Sequence, residues 1–188
     1  MIAVSPGPAR LTVDLKAIVT NYRRLCRLAG PGDVAAVVKA DAYGLGAVPV
    51  ATALARAGCR TFFVARLAEG LALRPAIPDR RIFVLDGLGA GGEEACARHD
   101  LLPVLNQLHD VVRWVAQARR LGRRLQAALH VDTGMCRLGL SMGEARRVAA
   151  AQATEIEPVL VMSHLACAEE RDNPLDRKST RLNSSHRT

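Results

Sequence analysis

The sequence predicts an α/β fold built on a parallel sheet, and three observations carry that prediction. Short apolar runs of strand length recur along the chain. Segments with helical period separate them in strict alternation. The runs are apolar almost throughout, as in strands whose two faces are both covered. With 188 residues, 49% of them apolar, the chain has room for one domain and a sizeable core.

Taken in order, Leu11–Leu15 alternates like a short strand. Asp14 then caps a helical segment with apolar residues at Leu15, Ile18, Val19, Tyr22 and Leu25, stopped by Gly30-Pro31-Gly32. Val34–Val38 reads as a strand and Ala47–Ala57 as a helix ended by Gly58. Thr61–Ala65 is strand-like, and Leu67–Leu73 is a helix ended by Pro75. Arg81–Leu85 is a strand, followed by a Gly-rich loop and a short helix to Arg98. Leu101–Leu105 and Leu125–Val131 are strands around the helix Leu108–Leu121. Gly143–Ala153 is a helix and Val159–Ser163 the sixth strand of the alternating series. A barrel and a doubly wound open sheet both fit this pattern. A complete (β/α)8 barrel has eight strands and typically about 250 residues, so the pattern stops two strands short of one.

The ends read differently. Residues 1–10 form an amino-terminal extension. Residues 176–188 have neither helical nor strand period and resemble one reading frame of a sequencing-adapter oligonucleotide. The genuine protein sequence is expected to end near Leu175, leaving 11–175 as the domain and 176–188 as an unstructured tail.

The net charge is +8, of which +3 falls in the tail. The remaining Arg residues lie on helix faces, as in Arg119-Arg120-Leu121-Gly122-Arg123-Arg124, with no aromatic residues between them. That pattern reads as a solvated face and not as a nucleic-acid footprint. The five Cys residues are scattered, with no C-x-x-C pair. Neither a zinc site nor a disulfide framework is indicated, and reduced thiols in a cytoplasm fit best. No signal peptide and no membrane span are expected.

Three strand ends carry the chemistry. The first is Val37-Val38-Lys39-Ala40-Asp41-Ala42-Tyr43-Gly44-Leu45-Gly46. The second is His130-Val131-Asp132-Thr133-Gly134-Met135-Cys136-Arg137-Leu138-Gly139. The third is Met162-Ser163-His164-Leu165. The chain uses 23 Arg and only 3 Lys, so a Lys ending an apolar run asks for a reason. An amine can lose its proton and form a Schiff base, whereas a guanidinium stays charged. By polarity alone, Lys39 fits equally a side chain reaching out to solvent at a strand end. Arg137 can be an ordinary loop cation and His164 a satisfied imidazole. Asp132 reads best as a loop cap that binds backbone N–H groups. In a barrel all three strand ends open onto one carboxyl face, where sites of this fold form. Asp86-Gly87-Leu88-Gly89-Ala90-Gly91-Gly92 has the wrong spacing for a dinucleotide fingerprint, and the next strand ends at Asn106 without an acidic residue. A flexible barrel loop is the favoured reading.

The segments V-V-K-A-D-A-Y-G-L-G and V-D-T-G-M-C-R-L-G, taken together, resemble the amino-terminal part of the alanine racemases. The resemblance runs from about Leu11 to Glu170. It implies a (β/α)8 TIM-type barrel, truncated after about six strands, without the family's carboxyl-terminal β-domain. It also implies pyridoxal 5'-phosphate as cofactor, alanine as substrate, a homodimeric parent, and supply of D-alanine for peptidoglycan. Lys39 would hold the cofactor and act as one of two bases. Tyr43 would help to hold the phosphate. Arg137 would lie near the cofactor's phenolic oxygen and the substrate carboxylate, and His164 would stack on the pyridine ring. The second base in the family is a Tyr from the carboxyl-terminal part of the partner subunit. Neither Tyr22 nor Tyr43 fits that role, so the chain alone is expected to be inactive. Many relatives carry a Lys, sometimes carbamylated, where this chain has His130, so whatever fixes Arg137 must differ here. Two alternatives stay open. One is another pyridoxal-phosphate barrel, such as a different racemase, a decarboxylase or a cofactor carrier. The other is a non-catalytic binding module.

Overall fold

A computed structural model describes residues 11–151, 154–170 and 173. The expected amino-terminal extension and the tail lie outside the described residues. So does Ala153, the expected end of the last helix.

Helix α1 spans Leu15–Ala29. The Asp14 carboxylate accepts the N–H groups of Lys16 and Ala17 at 2.8 and 3.0 Å, satisfying two donors that a helix start leaves open. The short strand expected at Leu11–Leu15 does not form. The Asp14 cap commits Leu15 to the helix, and Leu11 is 78% exposed with no strand beside it.

Six strands follow: β1 Ala36–Val37, β2 Thr61–Val64, β3 Arg81–Val84, β4 Leu101–Leu105, β5 Leu125–His130 and β6 Ile156–Met162. The helices between them are α2 Ala47–Arg56, α3 Leu67–Leu73, α4 Gly92–Arg98, α5 Leu108–Leu121 and α6 Met142–Ala150. Every strand pair is parallel, and the spatial order is β1-β2-β3-β4-β5-β6. A doubly wound sheet would reverse its order at a switch point. This order never reverses, so the sheet is singly wound, of the barrel kind, with β1 and β6 at its edges.

The central strands β2, β3 and β4 are apolar because both of their faces are largely covered. Phe62, Val64, Ile82, Val84, Leu101 and Leu105 face the helices and join their core. Phe83, Leu102, Val104 and Ala128 form a second cluster on the opposite face. There Phe63 and Phe83 stack with ring centroids 5.0 Å apart and are register partners across β2 and β3.

Several boundaries depart from the sequence reading. Only Ala36 and Val37 of the predicted Val34–Val38 strand join the ladder, although the Val38 N–H still reaches the Phe63 carbonyl at 2.8 Å. β6 starts earlier than Val159 because Pro158 is accommodated opposite Ala127, at the register shift between Ala127 and Ala128. β5 ends at His130, and Val131 instead bridges to Leu140. α6 begins at Met142 because Ser141 and Glu144 form a capping box, with the Glu144 N–H on Ser141 Oγ at 3.2 Å and the Ser141 N–H on Glu144 Oε2 at 2.8 Å.

Candidate active site

Parallel strands deliver all their carboxyl ends to one side of the sheet. There a cavity of about 560 Å³ is lined by Lys39, Tyr43, His130, Arg137 and His164, among others. Its apolar wall comes from Val37, Phe63, Leu85 and Met162. The four residues singled out at three separate strand ends therefore meet in one place. Lys39 is half-buried, whereas Tyr43, Arg137 and His164 are exposed.

The backbone after Lys39 is unusual. Ala40, Asp41, Ala42 and Tyr43 have φ of 51, 53, 53 and 57°, a turn of left-handed helix made without glycine. Each such residue costs roughly 1–2 kcal/mol, so the turn must be held. The Ala42 N–H bonds to Val38 O at 3.0 Å, and Gly46 N–H to Asp41 O at 2.9 Å. Asp41 Oδ1 accepts the Ala47 N–H at the start of α2 at 2.6 Å. Glu69 on α3 accepts the Ala40 N–H at 2.8 Å with one oxygen. Its other oxygen takes the N–H groups of Ala65 and Arg66 at 2.7 and 3.0 Å. Burial disfavours the charged form of Glu69, but these backbone donors outweigh it and hold the carboxyl below its ordinary pKa. Sequence reasoning missed Glu69. It lies in the first turn of an ordinary-looking helix, and nothing local marks its long-range partner.

The second strand end is equally tight. Asp132 Oδ1 accepts the N–H groups of Gly134 and Cys136 at 3.0 and 3.1 Å, the loop cap expected for it, and these bonds lower its pKa. The loop closes back on β5, with Leu140 N–H on His130 O at 2.7 Å and Asp132 N–H on Leu140 O at 2.9 Å. Gly139 permits this closure: its φ is +117°, and a Cβ there would sit 2.7 Å from the Asp132 nitrogen. At the third strand end, Ser163 and Thr133 hydroxyls lie 2.5 Å apart and tie the β5 and β6 ends together. His130 is buried, with Nδ1 2.8 Å from Asn106 Oδ1. Burial, then the charge of His164, push its pKa below the ordinary histidine value; Asp132 opposes this and Arg137 adds to it.

The Gly-rich stretch packs as a turn. Leu88 is fully buried, and Arg113 binds Gly89 O at 2.5 Å and Glu93 at 2.5 Å. Glu93 and Glu94 occupy the first turn of α4, which would repel a phosphate placed there. A second cavity, of about 530 Å³, lies at the amino-terminal ends of the strands among Arg74, Arg80, Arg123 and Arg124. Those guanidinium groups bind backbone carbonyls, including Asp100 O, Ala55 O, Ala97 O and Ile156 O.

A singly wound parallel sheet whose strand ends share one cavity defines the βα-barrel class of α/β fold. The alanine racemase amino-terminal domain model matches residues 13–186, and the chain belongs to that family. It is 51% identical over 174 residues to a catabolic alanine racemase of Agrobacterium fabrum, covering 91% of this chain and 45% of that protein. It is 49% identical over 170 residues to an alanine racemase of Methylobacterium sp. (strain 4-46), covering 90% and 47%. The alanine racemase of Bartonella henselae, solved with covalently bound pyridoxal phosphate, superposes with a TM-score of 0.85 at 36% identity, over 92% of this chain and 49% of that one. This chain spans about half the length of the curated relatives it matches.

Proposed function

We propose that this chain is the barrel part, residues 11–175, of a pyridoxal-phosphate-dependent racemase that interconverts L- and D-alanine for peptidoglycan in the cytoplasm. The observation that carries the proposal is Lys39, half-buried at a strand end in a cavity it shares with Tyr43, Arg137 and His164. The proposed unit leaves residues 1–10 and 176–188 outside it, although the family match runs on to residue 186. Among the described residues, no helix is long and apolar enough to cross a membrane.

The residues present fit the cofactor. The cavity combines a primary amine, an apolar wall, a guanidinium, an imidazole and a phenol. Lys39 would hold the cofactor through its amine, Tyr43 would take the phosphate, and the His164 imidazole face suits the ring. Bound there, pyridoxal phosphate supplies an electron sink for the charge left when an α-proton departs.

The chain's own residues do the rest. Arg137 orients the substrate carboxylate through its planar fork. Val37, Phe63 and Leu85 keep water from one wall. The Lys39 amine, held in place by the clamped left-handed turn, removes or returns the α-proton on one face. Racemisation needs a second base on the opposite face, proposed to come from the partner subunit of a homodimer. Incubation with pyridoxal phosphate, borohydride reduction and peptide mapping test the proposal. A label on Lys39 is expected, and absence of that label would overturn it.

A further inference from the structure

The Asn106 amide fixes a proton on the ring of His130. Asn106 is 7% exposed, and its Nδ2 donates to Leu85 O at 2.8 Å and Val104 O at 3.1 Å. Both amide hydrogens are thereby used, and a flipped amide would set its oxygen against two carbonyls. The atom facing His130 Nδ1 at 2.8 Å is therefore Oδ1, which carries no hydrogen. Nδ1 must be the donor. Burial lowers the pKa of the ring and so favours its neutral form, in which Nε2 is a bare acceptor.

That acceptor is an orphan. Nε2 has no hydrogen-bond partner among the described residues, although His130 is only 7% exposed and lines the cavity. An unpaired buried acceptor loses its hydration without replacement, so a partner there is favoured. The cavity offers three side chains with N–H donors, Lys39, His164 and Arg137, and two hydroxyls, Tyr43 and Ser163; the Ser163 hydroxyl already pairs with Thr133, and Tyr43 is proposed to take the phosphate. Lys39 has its own role in the proposed reaction. His164 approaches from the end of β6. Arg137 carries five donors and makes no hydrogen bond or ion pair among the described residues. Its loop is bound at Leu140 to the His130 carbonyl itself, and its charge reaches the ring.

We infer that His130 Nε2 accepts a hydrogen bond from the Arg137 guanidinium in the working site, making the Asn106–His130 pair the positioning device for Arg137. A neutral acceptor aims the guanidinium without cancelling its charge. The full cation then remains for an anionic group such as a carboxylate. The inference rests on the racemase proposal for its kinetic assay, but not for its spectroscopic one.

The test uses the full-length racemase that contains this chain. Long-range ¹H–¹⁵N correlation of the histidine rings, with His130 assigned by comparison with His130→Gln, reads the protonation of each nitrogen. At neutral pH, Nδ1 should be protonated and Nε2 bare; a protonated Nε2 overturns the inference. In kinetics, His130→Leu should raise the alanine KM about tenfold or more. His130→Gln, which keeps an acceptor, should restore most of that loss. With Arg137→Ala already in place, His130→Leu should add little. Additive losses, or coupling to His164 instead of Arg137, overturn it. If Lys39 fails to trap the cofactor, the racemase proposal falls, while the nitrogen spectrum still decides the tautomer.

Discussion

The Glu69 carboxylate accepts the Ala40 N–H at 2.8 Å, so a helix behind the sheet grips the residue next to Lys39. The same side chain holds Ala65 and Arg66 at the end of β2. One carboxylate thus locks two neighbouring strand ends together and restrains the left-handed turn. Glu69→Gln replaces one acceptor oxygen with a donor that faces another donor. It should cost about 1–3 kcal/mol in the full-length protein, measured by urea unfolding. An unchanged midpoint would show that the turn holds without Glu69.

Acid should weaken the fold through several groups of the same sign. Glu69, Glu93 and Asp132 all have folded pKa values below their ordinary ones. Their contribution is complete above the ordinary carboxylate range and is lost as pH falls through the lowered values. His130 is also lowered, from 6.5. As pH drops below that value the unfolded chain takes up the proton first, which again favours unfolding. Unfolding midpoints followed by fluorescence of Trp114, the only tryptophan, should therefore decline steadily on acidification. A midpoint that rises toward acid would contradict these assignments.

Much of this was legible in the sequence, for one physical reason. Strands covered on both faces must be apolar throughout, and helices that cover them must carry a 3.6-residue stripe. β2, β3 and β4 therefore announced themselves almost to the residue. Lys39 stood out because it ends such a run, whereas Arg137 and His164 gained their roles from the family resemblance of the segments that hold them. Pro158 hid the start of β6, since a bulge that tolerates proline has no local signature. The left-handed turn was hidden too, because Ala40 and Ala42 have no intrinsic taste for positive φ and Asp41 only a modest one. Glu69 and Asn106 act on segments far away in the chain, and no spacing rule connects them to the site.

Gly139→Ala should damage the site more than Gly122→Ala. At Gly139 a Cβ would press on the Asp132 backbone at 2.7 Å, whereas nothing lies within 4 Å at Gly122. Both pay for positive φ, at roughly 1 kcal/mol, but only the first displaces the Arg137 loop. In full-length protein Gly139→Ala should raise the alanine KM severalfold, with Gly122→Ala close to wild type. Equal effects would show that the loop closure is dispensable.

The 188-residue chain expressed alone should self-associate. Among the described residues β1 and β6 are unpaired sheet edges, and Val37 and Val161 are 44% and 65% exposed. Light scattering should detect aggregates that Val161→Lys reduces. A monodisperse monomer with cooperative melting would contradict this.

Racemisation by full-length protein carrying Lys39→Arg tests the central claim most directly. Lys39 is proposed both to hold the cofactor and to move the α-proton, and a guanidinium, fixed in its protonated form, can do neither. Lys39→Arg and Lys39→Ala should lose cofactor-dependent racemisation and the visible absorbance of bound cofactor. Lys16→Ala, on the exposed start of α1, should keep both. Wild-type racemisation by Lys39→Arg would contradict the account.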